Sequence, residues 1–131
     1  MVRARQAVIT EPFKTTVREV EIPDPAPNQI LLAAEYSAIS AGTELAVYTG
    51  THQWLKDPNL PDWKFPFRPG YSAAGTVAAV GSEVRGWAPG DRVIAMSYQP
   101  KTYRGTYTER VVLDAADRPR VMPARMLAPM P

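Results

Sequence analysis

The fold of this chain is decided by one stretch, Pro66-Phe67-Arg68-Pro69-Gly70-Tyr71-Ser72-Ala73-Ala74-Gly75-Thr76-Val77-Ala78-Ala79-Val80-Gly81, which continues through Ser82-Glu83-Val84 to Pro89-Gly90-Asp91-Arg92-Val93. An Arg-Pro-Gly turn leads into a run of small and β-branched residues, and β-branched residues favour strands. A Gly-Ser turn and a Pro-Gly-Asp turn follow, and a second apolar run begins after them. The stretch therefore predicts two strands with tight connections, the first packed closely enough to require Gly and Ala.

The composition of the 131-residue chain is typical of a single all-β domain. Apolar residues make up 45% of it, which is enough for one core. The chain also has 14 prolines, a residue that is excluded from helix interiors and central strands. We therefore expect many connections, few long helices and several short strands, as in a barrel or a sandwich.

Charge and cysteine content exclude several kinds of protein. The 15 basic and 13 acidic residues are interspersed, and Arg118, Arg120 and Arg125 are interpreted as a solvated strand edge rather than a nucleic-acid surface. With no cysteine and the single histidine His52, disulfides, thiolate ligands and multi-histidine metal sites are excluded. No apolar run is as long as a membrane span, and residues 1–6 lack a signal peptide's apolar segment. We expect a cytoplasmic protein without a membrane or nucleic-acid partner.

Alternation and apolar runs predict the strands. A slip in the alternation between Val17 and Val20 predicts a bulge, and the near-continuous apolar run at 29–39 predicts a strand covered on both faces. The strands are predicted at residues 5–9, 15–22, 29–39, 71–80, 92–96, 106–113 and 120–122, with a further extended segment at 126–131.

Two other segments interrupt the strands. Between Ser40 and Gly50 the sequence predicts a short helix, capped by Ser40 or Thr43 and ended by Gly50. Residues 51–67 form a long loop, and such loops in compact domains are usually functional or disordered. Its aromatic residues argue against disorder, so they either fold back on the barrel or line a cleft; they are Trp54, Trp63, Phe65 and Phe67.

The order of these motifs resembles the N-terminal GroES-like domain of the medium-chain dehydrogenase/reductase superfamily, the group of alcohol dehydrogenases and quinone reductases. The matching motifs include Ser37-Ala38-Ile39-Ser40-Ala41-Gly42-Thr43-Glu44, Tyr48-Thr49-Gly50, the stretch quoted above, Tyr107-Thr108-Glu109-Arg110-Val111-Val112 and Leu127-Ala128-Pro129-Met130-Pro131. The resemblance implies a mainly β fold, a partly open GroES-like β-barrel with one or two short helices, over residues 1–131. Within the superfamily the chain is most similar to the bacteriochlorophyllide dehydrogenase-like branch.

The resemblance also implies where this chain departs from its zinc-dependent relatives. Those enzymes carry a cysteine just before a Thr/Ser-Asp pair, and here Thr43-Glu44 matches the pair, so the cysteine position falls at Ala41 or, in another alignment, at Ser40. The Gly-His-Glu of the relatives becomes Gly70-Tyr71-Ser72. Catalytic zinc needs three protein ligands. We therefore expect no zinc and no metal-ligating residue in this chain.

The same resemblance also implies which residues form the site. The candidate catalytic residues are Thr43, Glu44 and Tyr71. Thr43 either binds a substrate oxygen or caps the helix, and Glu44 is either a general acid/base or a first-turn carboxylate stabilised by the helix dipole. Tyr71 either donates to a developing oxyanion or lies at the barrel rim. The other residues assigned to the substrate and cofactor cleft are Ser40, Ala41, Ser72 and Tyr48, the last with helix packing as its alternative role.

The function implied by the resemblance is that of a zinc-independent NAD(P)-dependent oxidoreductase, of which this chain forms one wall of the hydride-transfer cleft. NAD or NADP would be held by a Rossmann domain, in the same or a partner chain, because this chain has no Gly-x-Gly-x-x-Gly motif. We expect a small-molecule substrate, a homodimer of the full protein and an inactive isolated chain. The alternatives are a non-catalytic GroES-like binding or assembly module and a degenerate fragment without activity. His52 is interpreted as a surface residue.

Overall fold

The computed structural model describes residues 1–98, 100–115 and 121–123, and this part of the chain is mainly β. Its strands are β1 (Val2–Glu11), β2 (Lys14–Ile22), β3 (Gln29–Ser37), β4 (Ser72–Val80), β5 (Arg92–Met96), β6 (Arg110–Asp114) and β7 (Val121–Pro123). Its helical elements are α1 (Ala41–Tyr48) and the 3₁₀ helices Gln53–Lys56 and Pro100–Thr102. The predicted fold class is confirmed, whereas the extended segment predicted at 126–131 lies outside the described residues.

The strands form two antiparallel sheets that are joined along one side. β1 and β2 make a hairpin, and the other five strands are ordered β6-β3-β4-β5-β7. Isolated bridges connect the hairpin to the rest of the molecule at Gln6–Thr108 and Ile9–Phe67. Within the described residues β2 and β7 end the arrangement without pairing with each other. The result is the partly open barrel expected from the sequence. None of the helices in the described part is long and apolar enough to cross a membrane.

Close contact between β3 and β4 explains the small residues of the opening stretch. Gly75 pairs with Ala34 in the register of the two strands. A Cβ atom at Gly75 would collide with the carbonyl oxygen of Ala33, so a side chain does not fit there. The main core lies on one face of this sheet and consists of apolar side chains that are almost fully buried, namely Ile30, Leu32, Ala73, Val77, Val84, Val93, Ala95, Val111, Leu113 and Ala115.

Two details of the predicted strands are wrong. The hairpin register is continuous through Val17 and Val20, and it shifts only between Ile9 and Glu11, beside the turn where Phe13 has φ +66°. Val17 lies on a solvent-exposed face of the hairpin and is 64% exposed. An apolar residue at this exposed position breaks the alternation of apolar and polar residues in the sequence without a bulge in the strand. β3 is covered only over its first half. Ile30, Leu31 and Leu32 are buried, whereas the end of the strand is open to solvent and Tyr36 is 73% exposed.

The aromatic residues of the long loop form a second core rather than an open cleft. Ile9, Val47, Trp63 and Phe67 are buried together, and Trp54 and Phe65 pack against them. The indole Nε1 of Trp63 donates a hydrogen bond to the carbonyl oxygen of Pro100 at 3.1 Å. Because this core joins β1, α1 and the loop, it fixes α1 against the barrel.

Candidate functional site

The helix α1 follows Ser40, its N-cap residue, and has no side-chain cap. Ser40 has extended backbone and its carbonyl accepts a hydrogen bond from the Glu44 N–H at 2.9 Å, but its hydroxyl caps nothing. Ser40 therefore occupies the predicted N-cap position although its side chain does not cap the helix, whereas Thr43 lies inside the first turn. Gly50, with φ +76°, follows the last turn as expected for a helix end. The buried residues of α1 are Glu44 and Val47, so the helix turns this acidic side chain inward.

A bend at Gly70 brings distant segments beside α1. Gly70 has φ +92°, a conformation that favours glycine. Its carbonyl accepts from the Thr106 N–H at 2.9 Å, and the Pro69 carbonyl accepts from the Tyr107 N–H at 3.3 Å. A Cβ atom at Gly70 would lie 2.7 Å from both Thr106 and Tyr107 side-chain atoms. The bend therefore holds the segment around Tyr107 directly against the start of β4.

Glu44 is the buried carboxyl group of this site. It is only 9% exposed, and within the described residues neither of its carboxylate oxygens has a partner with hydrogen-bond geometry. Burial raises the pKa of Glu44, because the charged form loses its hydration. The Gly70 N–H and the hydroxyls of Tyr107 and Tyr103 lie near enough to offset part of that rise in the pKa. They approach the carboxyl group without forming well-aligned hydrogen bonds.

Two tyrosines, Tyr103 and Tyr107, approach this carboxyl group, and Tyr71 lies near both of them; we call Glu44, Tyr71, Tyr103 and Tyr107 the Glu44 cluster. The ring centroids of Tyr71 and Tyr103 are 6.1 Å apart. Burial, then the negative charge of Glu44, raise the pKa of Tyr107 to about 12 and raise the pKa of Tyr103 as well. The Tyr103 hydroxyl is buried and has no hydrogen-bond partner in the part of the chain that is described. At neutral pH, Tyr103 and Tyr107 are therefore protonated hydrogen-bond donors beside an acceptor.

The structure brings some of the sequence-predicted residues together. Glu44 and Tyr71 belong to the Glu44 cluster, and half-buried Thr43 precedes Glu44 on α1. Ser40 is half-buried at the helix start, whereas Ala41 is exposed. The chemistry available from this group is hydrogen-bond donation and proton exchange.

Two other predicted residues are engaged elsewhere. The hydroxyl of Tyr48 donates to the carbonyl oxygen of Phe13 at 2.9 Å, and the two rings meet edge to face. Tyr48 therefore packs α1 against the β1–β2 turn. This is the helix-packing role that the sequence offered as the alternative to a place in the cleft. Ser72 opens β4, and its carbonyl accepts from the Ser37 hydroxyl at 2.9 Å.

Sequence reasoning missed Tyr103 and Tyr107, and it misjudged His52. The two tyrosines lie about sixty residues from Glu44 in the sequence (44 against 103 and 107), and the only available signal was the frequency of tyrosine between residues 98 and 107. His52 was expected on the surface but is half-buried, stacked on Trp63 at 5.1 Å. Its Nδ1 accepts from the Trp54 N–H at 3.2 Å, and burial lowers the pKa of His52.

The side chains at the expected metal positions do not match a catalytic zinc site. Ala41 offers a methyl group, Ser40 a hydroxyl and Tyr71 a phenol, whereas zinc is bound in proteins by thiolate, imidazole and carboxylate groups. In residues 1–98, 100–115 and 121–123 no three His, Cys, Asp or Glu side chains are close enough to hold a metal ion.

Comparison with known proteins finds the same family by sequence and by structure. The chain is 30% identical to 2-desacetyl-2-hydroxyethyl bacteriochlorophyllide A dehydrogenase of Cereibacter sphaeroides, covering 93% of this chain and 39% of that protein. It is 37% identical to alcohol dehydrogenase 2 of Caenorhabditis elegans, over 58% of this chain and 19% of that protein. The chain thus spans about two fifths of the length of the bacterial relative.

Solved structures agree on the fold. An alcohol dehydrogenase superfamily protein from Novosphingobium aromaticivorans matches with a TM-score of 0.78 at 26% identity, over 97% of this chain and 36% of that one. The quinone oxidoreductase of Coxiella burnetii matches in fold, with a TM-score of 0.74 at 18% identity, over 95% of this chain and 38% of that one. The resemblance stated from the sequence is confirmed. Residues 26–131 match the family described as the alcohol dehydrogenase GroES-like domain, and the chain belongs to that family.

Proposed function

We propose that this chain is the substrate-binding and catalytic domain of a zinc-independent, NAD(P)-dependent medium-chain oxidoreductase, in which it forms one wall of the hydride-transfer cleft. The observation that carries the proposal is the Glu44 cluster, in which a buried carboxyl group meets the phenols of Tyr103 and Tyr107, with Tyr71 beside them. Buried ionisable groups with shifted pKa values are concentrated at functional sites. Membership of the alcohol dehydrogenase GroES-like domain family supports the same conclusion.

The chemistry asked of this chain is hydrogen bonding and proton exchange. The nicotinamide, when bound, exchanges a hydride with the substrate; NAD or NADP is held by a Rossmann domain in the same or a partner chain. Interconversion of an alcohol and a carbonyl also moves one proton, and Glu44 is the group we propose to exchange it. The phenol of half-buried Tyr71 donates to the substrate oxygen as negative charge develops there, and Thr43 supplies a second hydroxyl.

Zinc independence follows from the donor set in this proposal. With Tyr71 at one expected ligand position and Ala41 or Ser40 at another, no Lewis acid polarises the substrate from this domain, and Tyr71 takes over that role. We further propose a small-molecule substrate with a hydroxyl group or its carbonyl form, residues 1–131 as one domain, a homodimer of the full protein and a cytoplasmic location.

The activity assay uses the full-length protein, including any residues that precede or follow the 131 described by this sequence. We expect chelator-resistant, nicotinamide-dependent oxidation of alcohols, and no stoichiometric zinc by elemental mass spectrometry. Tyr71→Phe should lower kcat by about 10²–10³-fold, the effect of removing one oxyanion donor. The matched control is Tyr36→Phe, because Tyr36 is 73% exposed and lies outside the Glu44 cluster.

Several results would count against the proposal. Stoichiometric zinc whose removal abolishes activity would overturn zinc independence. Equal activity of the Tyr71→Phe and Tyr36→Phe variants would remove Tyr71 from the chemistry. Tight NADH or NADPH binding by the 131-residue chain alone would contradict a separate cofactor domain. A ring of subunits without oxidoreductase activity would instead favour the non-catalytic assembly module.

A further inference from the structure

The hydroxyl of Tyr107 lies within reach of two acceptors. It donates to the carbonyl oxygen of Ala38 at 3.4 Å, which is long for an O–H···O bond, typically about 2.5–3.0 Å. The second acceptor is the carboxyl group of Glu44, which interacts with the same hydroxyl. A phenol carries one proton to donate. Tyr107 can therefore serve Ala38 or Glu44 fully, but not both.

The charge of Glu44 decides between these acceptors. Both carboxylate oxygens of Glu44 are buried and lack a hydrogen bond in the described residues. An ionised carboxylate left in that state would lose its hydration without compensation, whereas a neutral carboxyl group loses much less. Hydrogen bonds to an ionised acceptor are also stronger than those to a neutral carbonyl. The observed bond from Tyr107 to Ala38 therefore fits the protonated form of Glu44.

The backbone around Tyr107 is held from two sides, so a change of partner needs only the side chain. The Tyr107 N–H donates to the Pro69 carbonyl at 3.3 Å, and the Tyr107 carbonyl accepts from the Ala7 N–H at 2.8 Å. Because Tyr107 is half-buried, its hydroxyl has room to turn, whereas the Tyr103 hydroxyl is fully buried.

We propose that Tyr107 is a positioning residue whose hydroxyl turns from the Ala38 carbonyl to the Glu44 carboxylate when Glu44 loses its proton. The proton leaves Glu44 for a substrate oxygen or for water, and Tyr107 keeps its own proton throughout. This inference rests on the proposed function, because it describes how the buried carboxyl group of the cleft becomes able to ionise. The titratable groups that face Glu44 are Tyr103 and Tyr107, and Tyr71 lies near both of these tyrosines.

The test is a pH titration of the 131-residue chain by NMR, with ¹³C-labelled glutamate and tyrosine. We expect the Tyr107 ring signals to shift with the same midpoint as the Glu44 carboxyl signal. Tyr107→Phe should raise the midpoint of Glu44 by roughly one pH unit, because the charged form loses its donor. Glu44→Gln should abolish the titration of the Tyr107 ring in that pH range. Tyr36→Phe, on an exposed ring, should leave the Glu44 midpoint unchanged.

Two outcomes would overturn the inference: Tyr107 signals that do not follow Glu44, or a Glu44 midpoint that is the same in Tyr107→Phe and Tyr36→Phe. If Tyr107→Phe does not fold, the comparison of wild type with Glu44→Gln decides, since that variant keeps Tyr107. The titration needs neither substrate nor cofactor. A negative result therefore removes the role of Tyr107 without affecting the proposed hydride transfer, which activity assays test separately.

Discussion

Arg5 and Glu109 are joined by four hydrogen bonds. The Arg5 guanidinium donates twice to one carboxylate oxygen, at 2.8 and 2.6 Å, and the Arg5 backbone N–H donates to the other at 2.8 Å. The Glu109 N–H returns a bond to the Arg5 carbonyl at 3.1 Å. Hydrogen bonding to Arg5 lowers the pKa of Glu109. This pair fastens the β1–β2 hairpin to the segment that leads into β6.

Glu109→Gln should lower the free energy of unfolding slightly at neutral pH and not at all in acid. The pKa of Glu109 is below its ordinary value of 4.5 in the folded state, so its stabilisation is complete above that value and is lost as the pH falls through the folded-state pKa. The effect is small because both side chains are exposed. Urea unfolding at neutral and acid pH measures it. Glu19→Gln is the control, since Glu19 makes a single 3.3 Å contact with Arg3; an equal loss from Glu109→Gln at both pH values would contradict the prediction.

Gly75→Ala should destabilise the fold by about 1–3 kcal/mol, the usual cost of overpacking. The added methyl group would collide with the Ala33 carbonyl oxygen, so β3 and β4 would have to move apart. Gly42→Ala is the matched control, because nothing lies near its added methyl group and α1 gains a better helix former. Chemical denaturation should show opposite signs for the two variants. An unchanged free energy of unfolding in Gly75→Ala would disprove the close contact between β3 and β4.

The free energy of unfolding of the Glu44→Gln variant should increase relative to that of the wild-type chain as the pH rises. The pKa of Glu44 is raised by burial, so the folded wild-type chain binds this proton more tightly than the unfolded chain does. The contribution of Glu44 to stability is therefore complete below its ordinary pKa of 4.5 and declines above it, and the neutral amide escapes this decline. Unfolding free energies of the two proteins measured from acid to mildly alkaline pH test the sign. A constant difference between them would mean that Glu44 is hydrated.

Trp63→Phe should cost about 1–3 kcal/mol, the penalty for leaving a buried polar group unsatisfied. Trp63 is 3% exposed, and its indole N–H is the donor to the Pro100 carbonyl. Trp54→Phe, at a half-buried ring of the same core, should cost less. Thermal unfolding of both variants provides the comparison. Equal effects would show that the hydrogen bond to Pro100 adds little.

Much of the fold could be predicted because it depends on local chemistry. The prolines, the alternating strands and the turns at Gly81 and Gly90 all act over a few residues, and β5 occupies the predicted residues 92–96. The errors arose where a neighbour decides the outcome. The exposure of Tyr36 depends on which part of β3 lies over the core, and the burial of His52 depends on Trp63.

The sequence by itself determined that this is a mainly β, cysteine-free chain of the GroES-like type, and that Tyr71 and Ala41 or Ser40 offer no thiolate, imidazole or carboxylate at the positions where the resemblance implies zinc ligands. Only the tertiary structure decided that Glu44 points inward, that Tyr103 and Tyr107 approach it, and that Tyr71 lies beside these two tyrosines. The physical reason is that burial of a charge, and the pKa it produces, come from groups distant in the chain. Here the bend at Gly70 brings those groups together.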